Sequence, residues 1–232
     1  MLFTSYQFII FLIAALILYY IVPKKAQWMV LLLMNTIFYI YAGLSGLIFI
    51  ITTIITTFFG AALITKEKDR SIVYLKQNKE SLTKEQKKAY KLSVQRRQKL
   101  YLIMVLVINF GILAILKYTN MFIVTFTGFK TVDFILPMGI SFYTFQSTGY
   151  LIDVYRGVAA AEKNPFRYAL FVSFFPQLVQ GPISRWNDLK TSLFDRHSFS
   201  WINLQNGFER MLWGYFKKMV IADRAAIGLA TI

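Results

Sequence analysis

Four apolar runs constrain what this chain can fold into more than any other feature of its sequence. They cover Tyr6–Val22, Ala26–Ala42, Leu47–Ile64 and Leu100–Leu116, and each has 17 or 18 residues. A helix of that length just crosses a hydrocarbon core of about 30 Å. Charged residues make up 16% of the 232 residues and hydrophobic residues 56%. A soluble fold would lack the polar surface needed to cover so much apolar side chain.

The expected fold class is therefore all-α, a polytopic integral membrane protein in which transmembrane helices form a bundle. We expect one transmembrane domain over residues 1–232, with a re-entrant segment and interfacial helices. The first apolar run is not predicted to be a signal peptide, because no basic region precedes it and no small-residue cleavage site follows it.

The distribution of Lys and Arg predicts the orientation. The connection at 23–27 carries two lysines, the connection at 42–46 carries none, and residues 66–99 carry twelve Lys or Arg. Because cytoplasmic connections are enriched in these residues, 66–99 is predicted to be a cytoplasmic loop beside anionic membrane lipid. The protein would then lie in the cell membrane as a multi-pass protein with its amino terminus outside. No nucleic-acid-binding module surrounds the basic run, so no nucleic-acid partner is expected.

A helix is predicted to begin inside this loop, at the capping box Thr83-Lys-Glu-Gln86, and to run towards Leu100. It would be either a solvated extension of a transmembrane helix or a specific binding surface. Charge runs are usually solvated.

Two later segments are less regular. Residues 134–152 are long enough to span, with Pro137 expected in the first helical turn. Phe166–Gln180 has only 15 residues and contains Pro176. A segment that is both short and broken predicts a re-entrant element buried within protein.

Gln146 stands out among the polar residues of the apolar segments. Ser141, Thr144 and Thr148 share a helical face, and their hydroxyls can bond their own backbone carbonyls. A glutamine amide in apolar surroundings needs partners from elsewhere. Gln146 is therefore either a clamp between helices or part of a polar cavity on the substrate path.

The segment Gln180-Gly-Pro-Ile-Ser-Arg185 combines an amide, a flexible glycine, a rigid proline and a cation. Arginine at membrane depth normally faces a cavity or a partner. Arg185 is therefore either a contact for an acyl donor, an acceptor or a phosphate, or a side chain that snorkels to the interface near Trp186. Gln180 and Arg185 join Gln146 as candidate substrate-path residues.

Beyond Ser200, apolar residues recur with a helical period, and Arg210, Lys217 and Arg224 follow at spacings of seven on another face. This pattern is typical of a helix at the cytoplasmic membrane interface. His197 is the one histidine and cysteine is absent, so no metal site is predicted. His197 lies in a charged connection and is expected to be solvated.

Three motifs carry a resemblance when taken in order. They are residues 136–157 (LPMGISFYTFQSTGYLIDVYRG), 174–186 (FFPQLVQGPISRW) and 214–226 (GYFKKMVIADRAA). Together they resemble the alginate O-acetyltransferase branch of the membrane-bound O-acyltransferase family.

The resemblance implies transfer of an acetyl group from the cytoplasmic side to hydroxyls of an exported cell-envelope polysaccharide. It also implies acetyl-CoA or another thioester as the donor substrate, no bound cofactor, and an extracytoplasmic partner protein. The family's catalytic histidine would lie beyond Ile232, so the catalytic residue is unknown and this chain alone is expected to be inactive. Two alternatives remain open: a transporter or lipid-handling protein, and an inert assembly protein.

Overall fold

The computed structural model describes residues 5–127, 136–178 and 181–230. Over these residues every regular element is a helix, which confirms the all-α prediction. The chain divides into two compact units. The central unit is Trp28–Asp195, and the terminal unit consists of the two chain ends, Met1–Gln27 and Arg196–Ile232. The single transmembrane domain stays a prediction.

The helices are α1 (Tyr6–Ile21), α2 (Gln27–Ala42), α3 (Leu44–Gln77), α4 (Lys84–Thr127), α5 (Ile140–Arg156), α6 (Pro165–Ser173), α7 (Phe175–Leu178), α8 (Trp186–Phe194), α9 (Trp201–Phe216) and α10 (Asp223–Ala230), with a π-helical segment at Lys217–Ala222 between α9 and α10.

Within the described chain, α3 and α4 are long and apolar enough to cross a membrane, over Gly46–Gln77 and Lys84–Thr119. Both continue well past their apolar parts, because they have 34 and 44 residues. The helices α1 and α2 have 16 residues each, which corresponds to about 24 Å and is shorter than a typical hydrocarbon core.

The basic run 66–99 forms a helical hairpin rather than an open loop. Its first part is the end of α3, and its second part is the start of α4. The predicted capping box is confirmed, since the Thr83 N–H donates to Gln86 Oε1 at 2.9 Å and the Gln86 N–H donates to Thr83 Oγ1 at 3.3 Å. Glu67 ties the two arms together through Arg97, at 3.3 Å.

The core of the central unit lies where α3, α5, α6 and α8 meet. Four aromatic rings pack there with centroids 4.8 to 6.5 Å apart: Tyr150, Tyr168, Phe171 and Trp186. Tyr168 is fully buried, and its hydroxyl donates to Thr57 Oγ1 of α3 at 2.8 Å. The Thr57 hydroxyl in turn donates to the carbonyl of Thr53. Thr57 thus joins α3 to α6.

α5 begins later than the sequence predicts. Pro137 precedes the helix instead of lying in its first turn, and Gly139 is the N-cap with φ +74°. A Cβ at Gly139 would lie 2.7 Å from the carbonyl oxygen of Leu178, at the end of α7. Only glycine combines that left-handed backbone with so close an approach.

The predicted break in the segment around Pro176 is present. α6 ends at Ser173, Phe174 is extended, and the four-residue α7 follows. The re-entrant course of this segment across a membrane stays a prediction.

In the terminal unit, α9 has no buried residue. The π-helical segment after it turns less per residue than an α-helix. A spacing of seven therefore does not by itself place Arg210 and Arg224 on one face across this segment, and the cationic stripe stays a prediction. Location at a membrane interface stays a prediction for this helix.

Candidate functional site

A cavity of about 290 Å³ in the central unit brings together two of the three predicted substrate-path residues, Gln146 and Arg185. Asp153, Arg156 and Ser184 also line it. One wall comes from α5 and the other from the extended segment before α8. Gln180 lies outside the described residues.

The side chains that α5 contributes to the cavity recur with the helical period. Asp153 lies seven residues after Gln146, and Arg156 lies ten residues after it. These spacings place the three side chains on one face of the helix. The helix ends where Gly157 adopts φ +77°, and the Val158 N–H donates to the Asp153 carbonyl at 2.9 Å. This glycine cap ends the helix one residue after Arg156. The Arg156 side chain is exposed.

Gln146 also forms a contact between helices. Its side chain is only 4% exposed, and its Nε2 donates to the Phe171 carbonyl at 3.1 Å. In a continuous helix that carbonyl would accept from the N–H of Phe175. Here the Phe175 N–H donates instead to Asn35 Oδ1 at 3.2 Å.

Asn35 of α2 completes this arrangement. It is 1% exposed, and its Nδ2 donates to Ser173 Oγ at 3.3 Å. Two amide side chains, from α2 and α5, therefore satisfy backbone groups that the break at Phe174 leaves without helical partners. This contact supports the clamp hypothesis for Gln146, although the same residue also lines the cavity.

Arg185 lies in extended backbone, φ −79° and ψ 152°, immediately before α8. The next residue, Trp186, is 4% exposed and packs its ring 5.1 Å from that of Phe171. Trp186 is thus a core residue that anchors the segment, and not an exposed interfacial aromatic. The Arg185 side chain is exposed and forms no ion pair within the described chain.

Ser184 is held in place by a neighbouring side chain. Gln177 Nε2 donates to Ser184 Oγ at 2.8 Å. Because the Ser184 oxygen accepts this bond, its own O–H remains able to donate to a ligand. The cavity can therefore offer two guanidinium groups and a hydroxyl donor against the single carboxylate of Asp153.

Sequence reasoning missed Asp153 and Arg156. The signal that could have found them is their position seven and ten residues after Gln146, on the same helical face. The substrate-path role of Gln146, Gln180 and Arg185 stays a prediction.

His197 is held by its backbone in the terminal unit. The His197 N–H donates to Gln27 Oε1 at 3.0 Å, and Gln27 Nε2 donates to the His197 carbonyl at 2.8 Å. The residue as a whole is half-buried, so it is only partly solvated. This pairing links the two segments of the terminal unit through the backbone of residue 197.

Curated relatives match about half of the chain. The protein named "Probable alginate O-acetylase AlgI" of Pseudomonas aeruginosa is 38% identical over 135 residues, which cover 54% of this chain and 26% of that protein. Its namesake from Pseudomonas syringae pv. tomato is 35% identical over 136 residues, covering 55% and 26%. The "Peptidoglycan O-acetyltransferase" of Helicobacter pylori is 33% identical over 160 residues, covering 56% and 30%.

The matched stretches thus span about a quarter of the two alginate O-acetylases and under a third of the third relative. No protein-family model matches the chain, and no solved structure matches it significantly. The resemblance predicted from the three motifs is confirmed: over about half of its length, this chain is similar to O-acetyltransferases of the alginate O-acetylase type.

Proposed function

We propose that this chain is part of a membrane O-acetyltransferase that modifies hydroxyls of an exported cell-envelope polysaccharide. The similarity to proteins named for acetylation of alginate and of peptidoglycan carries this proposal. Both names describe acetyl transfer to a polymer of the cell envelope, so a polysaccharide acceptor is the shared element.

The reaction needs a donor with a good leaving group, and a thioester such as acetyl-CoA fits that need. The acceptor oxygen attacks the acetyl carbonyl, an ester C–O bond forms, and the C–S bond breaks. The hydroxyl proton passes to a general base, and the thiolate leaves with the electron pair. The proposal includes an extracytoplasmic partner protein that presents the polymer.

The chain is proposed to be a multi-pass protein of the cell membrane with its amino terminus outside. The basic hairpin is formed by the end of α3 and the start of α4, and both helices also have an apolar part long enough to cross a membrane. Because Lys and Arg favour the cytoplasmic side, this arrangement supports the orientation. The chain has no cysteine, so Ser81→Cys would carry a unique label. We expect that thiol to resist a membrane-impermeant reagent in intact cells and to react after lysis, whereas Ser45→Cys should react in both. Equal labelling of Ser81→Cys before and after lysis would show that the basic hairpin lies outside, which contradicts the proposed orientation.

The function itself is tested in the source organism by deleting the coding region for residues 1–232 in frame. Alkali-labile acetate is then measured separately on exopolysaccharide and on peptidoglycan. We expect acetate to disappear from one of these polymers and to return with the wild-type gene. The Arg96→Gln variant, with its change on the exposed face of the basic hairpin, is the matched control and should restore acetylation fully. Unchanged acetate on both polymers would refute the proposal.

A further inference from the structure

Two arginines that are far apart in the sequence line one small cavity. Arg156 is the last residue of α5, and Arg185 immediately precedes α8. Both contribute to the walls of the 290 Å³ cavity of the central unit. Both side chains are exposed, and two cations at one cavity make its potential more positive, so their common position favours the binding of an anion.

The protein itself supplies only part of that counter-charge. Asp153 lines the same cavity, but within the described chain neither Arg156 nor Arg185 forms an ion pair with it. With two guanidinium groups and one carboxylate, the cavity carries an excess of positive charge. The ion pairs that the described chain does contain lie elsewhere, at Glu67 and Asp223.

The backbone around both arginines is firmly placed. Gly157 ends α5 next to Arg156 with a left-handed cap. The residue after Arg185 is Trp186, whose buried ring holds this part of the chain against the core. Ser184, on the same wall, keeps its O–H as a donor because its oxygen accepts from Gln177. Guanidinium forks and a hydroxyl donor are the groups that bind phosphate oxygens in proteins.

We propose that Arg156 and Arg185, with Ser184, form a binding site for the phosphate group of a ligand. The phosphate belongs either to a soluble phosphate ester or to an anionic lipid headgroup. Each guanidinium donates to phosphate oxygens, and the Ser184 O–H adds a third contact. Asp153 limits the affinity because its carboxylate repels the same anion.

The test uses the 232-residue chain purified in detergent and titrated with inorganic phosphate and with phenyl phosphate by isothermal calorimetry. Arg156→Gln and Arg185→Gln should each weaken binding about tenfold or more, because each removes charge-assisted hydrogen bonds. Asp153→Asn should tighten binding about threefold, since it removes a repulsive charge at a partly exposed site. Arg96→Gln is the charge-matched control and should bind like the wild type.

The second arm distinguishes the source of the phosphate. The protein is reconstituted in phosphatidylcholine vesicles with and without phosphatidylglycerol, and the lipid retained after detergent extraction is measured. Retention of phosphatidylglycerol that requires both arginines, without binding of the soluble probes, assigns the site to a lipid headgroup. Binding of the soluble probes, with no lipid retention, assigns it to a soluble ester.

The proposal fails if neither probe nor lipid binds, or if Arg96→Gln weakens binding as much as Arg156→Gln. Should the glutamine variants not fold, Arg156→Lys and Arg185→Lys keep the charge but lose the guanidinium fork. They must still weaken binding, and wild-type affinity in both would overturn the site. Binding is measured without acetyl transfer. Failure of this binding proposal can therefore be distinguished from failure of the proposed acetyltransferase function.

Discussion

The helices α5 and α9 have almost the same length, 17 and 16 residues, yet their surroundings are opposite. α5 buries nine residues, among them Thr144, Gln146, Ser147 and Thr148. α9 buries none and exposes seven large apolar side chains: Trp201, Ile202, Phe208, Met211, Leu212, Trp213 and Phe216.

The difference shows that polarity alone does not decide burial in this protein. Three of the buried polar residues of α5 donate to carbonyl groups: Ser147 and Thr148 to the Thr144 carbonyl, at 3.1 and 2.7 Å, and Gln146 to the Phe171 carbonyl at 3.1 Å. The apolar residues of α9 are not buried, although some of them contact other rings, as Trp213 does with Phe216 at 5.3 Å. An accumulation of exposed apolar side chains on one helix is typical of contact with lipid or with another protein. Substituting matched residues in the two helices tests whether this contrast governs stability.

The largest contrast is expected for leucine truncation. Leu151 of α5 is 0% exposed and Leu212 of α9 is 51% exposed. Leu151→Ala should lower the free energy of unfolding by about 3 kcal/mol, because it leaves a cavity in a packed core. Leu212→Ala should change it by less than about 1 kcal/mol. Denaturant unfolding in detergent micelles, followed by circular dichroism, measures both. Equal losses would mean that α9 is packed as tightly as α5.

Replacing a glycine by alanine should have opposite effects on the free energy of unfolding in the two regions. Gly139→Ala, at the start of α5, meets the Leu178 carbonyl at 2.7 Å and a φ of +74°. It should destabilise the protein by about 2 kcal/mol. Gly214→Ala has no atom within 4 Å of the new Cβ and should stabilise by up to about 1 kcal/mol, because alanine favours a helix over glycine. Thermal unfolding of the two variants under identical conditions gives the comparison. A Gly139→Ala protein as stable as the wild type would show that α5 and α7 can separate at no cost.

The smallest contrast concerns two glutamines. Gln146→Met keeps the side-chain length but leaves the Phe171 carbonyl without its donor, which should cost about 1–2 kcal/mol. Gln205 of α9 is exposed and donates to Glu209 Oε1 at 3.2 Å, so Gln205→Met should alter stability by less than about 0.5 kcal/mol. Unfolding and acetylation are measured together. Unchanged stability with lost acetylation in Gln146→Met would assign Gln146 to the substrate path and not to the clamp.

Local features of the chain were predictable from the sequence. The capping box at Thr83 depends on two side chains three residues apart, and the break near Pro176 depends on a residue that cannot donate to the preceding turn. The helix starting at Ile140 was predicted too early, because Gly139 must approach Leu178, and that contact is not visible in the local pattern.

The candidate site was only partly predictable. Gln146 and Arg185 were chosen as unusual polar residues in apolar segments, and the structure places both at one cavity. Arg156 was missed, because an arginine at the end of a helix has many possible partners. Arg156 comes to line the same cavity as Arg185 only when α5 and the segment before α8 pack against the same aromatic core.

By itself the sequence determined the helical class, the helix cap at Thr83 inside the basic run, and the similarity to polysaccharide O-acetyltransferases. These depend on periodicity, charge and short motifs, which act over a few residues or are read directly from the chain. The tertiary structure decided how Asn35 and Gln146 together hold the break at Phe174, and which arginines share a cavity. Asn35 and Phe175 are 140 positions apart. A bond over that distance exists only because packing of the intervening helices brings the two groups together, and no local propensity encodes it.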